Sequence, residues 1–299
     1  MYRPQSWIIA ILSVLAFAML AGCSQGPALG DPGRVESTLN KILREKRLKV
    51  GYIHYPPSAF RGKDGKVTGH FVEALEEIVR QLDPAIKINY EETTWTDFSA
   101  ALTSGRIDLS IAGTFTTIPR AKVVSFTRPL VYLGRSAVVR RGDKRFSAEK
   151  GPEQFDRPDI KVAVVSGEGS HEYVKAKFKH LENVIVFSGS DLSQALAAVS
   201  AGQADVGMSD ALETQKYARV HSDVVDLYAA APYDLTPIAW AVRHEDTVWK
   251  DFLDTALYTL EVQGKLREFE RRYDFAWAHP VTVFRAQLAP TTVQASAAN

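Results

Sequence analysis

Apolar side chains recur at helical spacing over residues 69–82, where Phe71, Ala74, Leu75, Ile78, Val79 and Leu82 fall on one face. That spacing predicts an amphipathic helix. Before it, residues 48–53 form a short apolar run that reads as a strand, ended by Pro56 and Pro57, which cannot donate to a strand ladder. Lys63-Asp64-Gly65-Lys66 is a turn. After the helix, Ile86, Ile88 and Tyr90 alternate with polar residues, as in a half-buried strand. Residues 95–104 read as a second helix closed by Gly105, and residues 107–111 as the next strand. Strands alternating with helices predict a parallel α/β sheet.

The pattern then repeats. Ala101-Leu102-Thr103-Ser104-Gly105-Arg106-Ile107-Asp108-Leu109 is echoed 97 residues on by Val199-Ser200-Ala201-Gly202-Gln203-Ala204-Asp205-Val206. In both, a helix ends at Gly, two residues follow, and Asp opens an apolar strand. The second half is predicted as strand 161–165, helix 170–180, strand 184–187, helix 191–201 and strand 205–208. Leu192, Ala195, Leu196 and Val199 mark the buried face of its second helix. Two α/β lobes of similar plan are expected, rather than one long sheet. Residues 247–263 and 265–273 read as closing helices split by Gly264, followed by an Ala/Thr/Gln-rich tail over 279–299 expected to be disordered.

The N-terminus changes the picture. Arg3 precedes an apolar run of 15 residues, 7–21, short for a spanning helix, which needs about 20. Charged start, apolar stretch and small residues together read as an export signal over 1–22. Leu20-Ala21-Gly22-Cys23 resembles the bacterial lipobox, in which the Cys is lipidated and becomes the new N-terminus. Cys23 is therefore the expected lipidation site, followed by a tether over 23–43 that is Gly/Pro-rich at first. The protein is expected in the periplasm or cell envelope as a membrane-anchored lipoprotein. Cys23 is also the only cysteine, so no internal disulfide can form.

Composition mainly excludes. The 299 residues carry 36 Lys plus Arg against 35 Asp plus Glu, with 45% hydrophobic and 24% charged residues. This is ordinary globular composition, not that of a disordered chain, a collagen or a polytopic membrane protein. Nothing in the charge suggests nucleic-acid binding, which needs a basic excess. Enzyme motifs are absent: no His-Glu-x-x-His, no Gly-x-Ser-x-Gly, no P-loop. The seven His are scattered, so no metal cluster is expected. Gly167-Glu168-Gly169 lacks a third Gly, and no cofactor is expected.

What remains is an ordered set of short motifs. Tyr55-Pro56-Pro57 is followed by Gly69-His70-Phe71, then by Trp95 with Ala101-Leu102-x-Ser104-Gly105-x-x-Asp108. Ala112-Gly113-Thr114, Pro119-Arg120-Ala121 and Phe126-Thr127-x-Pro129 come next. In order and spacing, over about 48–277, these resemble the extracytoplasmic solute-binding proteins of amino-acid ABC transporters, family 3. The resemblance implies two α/β lobes, the type II periplasmic-binding-protein-like fold, joined by two hinge strands near 130–134 and 235–239. Lobe one would be 44–129 plus 240–278, and lobe two 135–234. It also implies a monomer that captures a small amino-acid-like ligand between the lobes and hands it to the membrane subunits of an ABC transporter.

An amino acid is a zwitterion, and a cleft that closes on it must pair both charges. Arg120 is the candidate for the carboxylate, because its planar fork can bind two oxygens. Thr117 and Pro119 place it near a helix start, where backbone N–H groups favour an anion. Asp210, after the strand at 205–208, stands at the strand end where α/β sheets bind ligands. By resemblance it holds the α-amino group, though it is equally a good N-cap. Gly169-Ser170-His171-Glu172 matches the family's Gly-Thr-Thr-x-Glu-like turn, whose hydroxyl and N–H groups face a carboxylate. Gly113 and Thr114 belong to the Ala-Gly-Thr motif of the same site. Tyr55 matches the aromatic that packs on the ligand, and Trp95 is a second wall. Phe115 departs from the pattern: the family has Ser or Thr there. Thr114 or Thr116 would have to replace the lost donor.

The second half also resembles cyclohexadienyl dehydratases, which share this fold and convert prephenate or arogenate by losing water and carbon dioxide. This resemblance covers residues 167–178, Ser209-Asp210-Ala211-Leu212-Glu213 and the basic, aromatic end 270–277. Glu213 falls at their general acid, a role that needs a raised pKa. His171 stands where an Asn is expected. The receptor is the expectation taken forward, with the dehydratase, or a lobe pair used in signalling, as alternatives.

Overall fold

The echo in the sequence is an echo in the structure. In the computed structural model, which describes residues 36–273, each half is a small parallel sheet flanked by helices. The first half contains α1 (Thr38–Glu45), β1 (Arg47–Tyr52), a short hairpin of β2 (Phe60–Arg61) and β3 (Val67–Thr68), α2 (His70–Leu82), β4 (Lys87–Glu92), α3 (Phe98–Thr103), β5 (Leu109–Phe115), α4 (Ile118–Ala121) and β6 (Val124–Phe126). β1 pairs in parallel with both β4 and β5. A long strand, β7 (Val131–Arg140), leads to the second half: β8 (Lys161–Val165), α5 (Gly169–Lys177), β9 (Asn183–Phe187), α6 (Ser193–Ser200), β10 (Val206–Asp210), α7 (Ala211–Val220) and β11 (Val224–Asp226). There β8 pairs in parallel with β9 and β10. Another long strand, β12 (Tyr233–Arg243), returns to the first half, where α8 (Thr247–Val262) and α9 (Lys265–Arg271) pack.

The repeated Gly-x-x-Asp does the same work twice. Gly105 and Gly202 both take φ 72, a left-handed turn that suits glycine and closes α3 and α6. The Asp that follows then holds the start of a neighbouring strand. Asp108 N–H donates to Lys49 O at 2.8 Å while its carboxylate accepts from Lys49 N–H at 3.2 Å. Asp205 does the same to Lys161, at 2.8 and 2.9 Å. Each motif thus joins the end of a helix to the sheet.

The sheet corrects two expectations. It is mixed, not purely parallel, and it is continuous: the strand order runs β4-β1-β5-β12-β7-β10-β8-β9. β7 and β12 pair with each other in antiparallel fashion, Leu133 opposite Thr236 and Val131 opposite Ile238. β12 also pairs with β5, and β7 with β10. These two strands knit the halves together. Their apolar runs show neither clean alternation nor helical spacing, so periodicity does not reveal them. Smaller differences follow from boundaries. α1 occupies the last part of the span read as a tether, and residues 95–97 form a turn ahead of α3. The export segment, Cys23 and the tail over 279–299 lie outside the described residues.

One core cluster runs through both halves, from Ile42 to Phe269. Trp240, Trp249, Tyr52 and Phe71 are among its fully buried members. Trp240 on β12 meets Phe71 of α2 edge to face, 6.2 Å between centroids. Gly69, just before α2, has φ 132, and a Cβ there would lie 2.3 Å from Ser58 O. Only glycine lets the loop after β1 lie this close. Tyr273 fixes the same corner: its hydroxyl accepts from Gly69 N–H at 3.1 Å and donates to Glu73 at 2.8 Å. Tyr273→Phe removes both bonds and a third to the Thr68 hydroxyl at 3.1 Å, and is expected to cost about 1–2 kcal/mol of stability in urea unfolding. An unchanged midpoint would show that the corner does not depend on this hydroxyl.

Candidate functional site

The ends of β1, β5 and β10 and the start of α5 converge where the two halves meet. They enclose a cavity of about 10 Å³, room for one water. Six of the residues expected from the sequence line it: Tyr55, Trp95, Gly113, Arg120, Gly169 and Asp210. Phe115, Leu133, Glu168 and Ile238 complete the lining.

Arg120 is 9% exposed and reaches across from the first half. Its Nε donates to Glu172 at 2.8 Å, one terminal nitrogen to Phe115 O at 3.1 Å and the other to Gly167 O at 2.6 Å. Those bonds use three of its five N–H donors. Burial lowers the pKa of the guanidinium, while the charges of Glu172 and Glu168 work against that shift. Thr117 caps α4, its Oγ accepting from Arg120 N–H at 3.4 Å, as its place in the sequence suggests.

Asp210 ends β10 and caps α7, its carboxylate accepting from Glu213 N–H at 2.9 Å. It is buried, and desolvation raises its pKa despite that bond. Tyr55 is also buried, 5.9 Å centroid to centroid from Trp95 in an edge contact. Its hydroxyl lies against the Asp210 carboxylate, and burial followed by the Asp210 charge raises the phenol pKa well above its ordinary value. Trp95 Nε1 donates to Ser190 O at 3.3 Å, a further link between the halves.

Glu168 also lines the cavity, a place its sequence motif does not mark. It caps α5, one carboxylate oxygen accepting from Ser170 N–H at 2.7 Å. The other oxygen is buried without a partner. Burial first, then the charge of Asp210, raises its pKa to about 7, against the pull of Arg135 and Arg120. The signal available in the sequence was a carboxylate inside a Gly-x-Gly turn. Arg135 of β7 stands in no motif either. It is 2% exposed, lies 4.5 Å from the Phe115 ring centroid, and pairs with Asp234.

The other expected residues lie outside the lining. Ser170 is fully buried with an unpartnered hydroxyl. His171 turns back, its Nδ1 accepting from Gly167 N–H at 3.2 Å, and burial lowers its pKa. Thr114 is buried in β5 opposite Ala239. The Thr116 hydroxyl donates to Pro237 O at 3.3 Å. Neither threonine is in the cavity lining, whereas Phe115 is, its ring packed against Gly169 so closely that a Cβ there would lie 2.3 Å from it. Glu213 sits one turn into α7, raised in pKa by burial and by Asp210, with Lys216 at 3.6 Å. The arrangement can hold an anion at Arg120 and a cation at the facing carboxylates. No group of metal-binding side chains occurs among the described residues.

Residues 48–276 match the profile of bacterial extracellular solute-binding proteins, family 3. The cyclohexadienyl dehydratase of Pseudomonas aeruginosa is 23% identical over 283 residues, 92% of this chain and 97% of that protein. A probable amino-acid ABC transporter-binding protein of Haemophilus influenzae is 26% identical over 253 residues, 84% of this chain and 92% of its own. The crystal structure of the ancestral amino acid-binding protein AncCDT-1, a precursor of cyclohexadienyl dehydratase, superposes with a TM-score of 0.67 at 25% identity. It covers 80% of this chain and 99% of that one. The fold is the two-lobed one of periplasmic binding proteins.

Proposed function

Because the chain belongs to the bacterial extracellular solute-binding proteins, family 3, we propose that it is a periplasmic receptor lipoprotein. It captures a small amino-acid-like ligand between its lobes and presents it to the membrane subunits of an ABC transporter. Cys23 carries the lipid anchor. The observation that carries this reading is the presence of buried Arg120 and buried Asp210, contributed by different lobes, in the lining of one cavity. The relative from Haemophilus influenzae, named as an amino-acid ABC transporter-binding protein, supports the same reading.

Capture proceeds by opening and closure. With room for one water, the cavity must widen to admit an amino acid, so the lobes part about β7 and β12. The carboxylate docks on the Arg120 N–H groups not used by Glu172, Phe115 O and Gly167 O. The Tyr55 and Trp95 rings of the same lobe meet the ligand's apolar part, and closure of the second lobe then brings Asp210 to the ammonium. Water leaves both charges only when both are paired.

A dehydratase reading is supported by the Pseudomonas relative and by the raised pKa of Glu213. Against it, Glu213 is outside the cavity lining and beside Lys216. One experiment separates the two. The purified protein is offered amino acids, prephenate and arogenate singly, with melting temperature and product both recorded. An amino acid at a hundred times its Kd is expected to add about 2.7 kcal/mol and raise the Tm by about 5–10 °C, without turnover. Turnover of prephenate or arogenate that Glu213→Gln abolishes would replace the receptor with the enzyme.

A further inference from the structure

We propose that Glu168 is a second amine-binding carboxylate. With Asp210 it forms a subsite that takes a primary ammonium group, so the ligand class is a carboxylate that also bears a free amine. This rests on the receptor reading above and extends it to a residue outside the expected site.

Three observations place the subsite. Glu168 and Asp210 line the same cavity, from the starts of α5 and α7. One oxygen of Glu168 is spent on capping Ser170 N–H, while the other is buried with no partner, in a residue only 2% exposed. A buried carboxylate oxygen left in this state is costly unless something supplies a donor. The Tyr55 side chain borders the same space, with its hydroxyl against Asp210. The charges are unbalanced as well. Arg120 is paired with Glu172 and Arg135 with Asp234; their charges act on Glu168, and that of Lys216 on Asp210, but no ion pair within 4 Å reaches Glu168 or Asp210 among the described residues. What fits between them is cationic, as small as one water, and has several donors. A primary ammonium has three. A dianion without an amine, such as prephenate, meets two carboxylates here.

Binding is then coupled to a proton. The groups facing Glu168 are Asp210 of β10, Tyr55 after β1, Arg120 of α4, Arg135 of β7 and Tyr233 of β12. With no cation present, burial and Asp210 keep a proton on Glu168 to about pH 7. An incoming ammonium replaces that proton, which is released to solvent. Affinity therefore rises with pH until Glu168 is ionised, and should be about thirtyfold weaker at pH 5.5 than at pH 8.

The test is calorimetric titration of the full-length protein with the amino acid that raises its Tm most. It is run at pH 5.5 and 8, and at pH 6.5 in two buffers of different ionisation enthalpy. The proposal expects wild type to release a proton and to gain affinity with pH. Glu168→Gln keeps an oxygen for the Ser170 cap; it should bind about 10- to 100-fold more weakly at pH 8 and lose the pH slope. Wild-type binding with no proton release and no slope overturns the proposal while leaving the receptor reading intact, and this readout does not depend on the variant folding. A folded Glu168→Gln that binds like wild type does the same. If no amino acid binds wild type at all, the receptor reading falls and this proposal with it.

Discussion

Arg120→Ala is expected to weaken ligand binding by about 2–5 kcal/mol, the usual loss when one partner of a buried charge pair is truncated. At the low end that is about thirtyfold in Kd, and at the high end it removes measurable binding. Two effects add. The ligand carboxylate loses its bidentate partner in a space that water has left. The closed form also loses its clasp, because the same guanidinium joins Phe115 O of the first lobe to Gly167 O and Glu172 of the second. Two further variants separate these effects. Glu172→Gln weakens the clasp at a residue outside the cavity lining, and its side chain is 32% exposed, so its effect on Kd should stay within about tenfold. Arg120→Lys keeps the charge but not the fork, and should recover only part of the loss. Titration of each variant decides. Arg120→Ala binding within threefold of wild type would remove Arg120 from the site.

How far the sequence could be read depended on whether each feature was local. α2 and the strands around it were legible because Phe71, Leu75, Ile78 and Val79 repeat with the helix, and because Gly105 and Gly202 mark helix ends by their own chemistry. β7 and β12 were not legible as ladder strands. Their pairing joins residues about 100 positions apart, and a window of neighbours holds no trace of it. The site divides in the same way. Arg120 and Asp210 stand where short motifs put them. Glu168 reads locally as a helix cap, which it is; its second role comes from Asp210, Tyr55 and Arg135, brought to it by three other elements. Phe115 was visible as a departure, but not what its ring would meet. In the fold it packs on Gly169 and beneath Arg135, so the missing hydroxyl is replaced by an apolar contact between the lobes.

Stability measured without ligand should fall between pH 5 and pH 8, and Glu168 should account for most of the fall. In the unfolded chain this carboxyl titrates at its ordinary value of 4.5; in the folded protein it does so at about 7. Between those values the native state binds more protons than the unfolded one, so raising the pH favours unfolding. The difference amounts to roughly 3 kcal/mol, complete above about pH 7 and absent below about pH 4.5. Asp210 and Glu213, both raised by burial, act in the same direction. His171 acts the other way: burial lowers its pKa, so below its ordinary value of 6.5 the unfolded state takes up protons that the folded state refuses. Urea midpoints at pH 5 and 8 for wild type and Glu168→Gln measure the contribution. The variant should be the more stable protein at pH 8 and show little loss between the two. Equal slopes for both proteins would mean that Glu168 is already ionised in the native state. The same titration at saturating ligand links stability to binding. An ammonium between Glu168 and Asp210 supplies the positive charge that burial denies them, so the pH-dependent loss should shrink as the ligand fills the cleft.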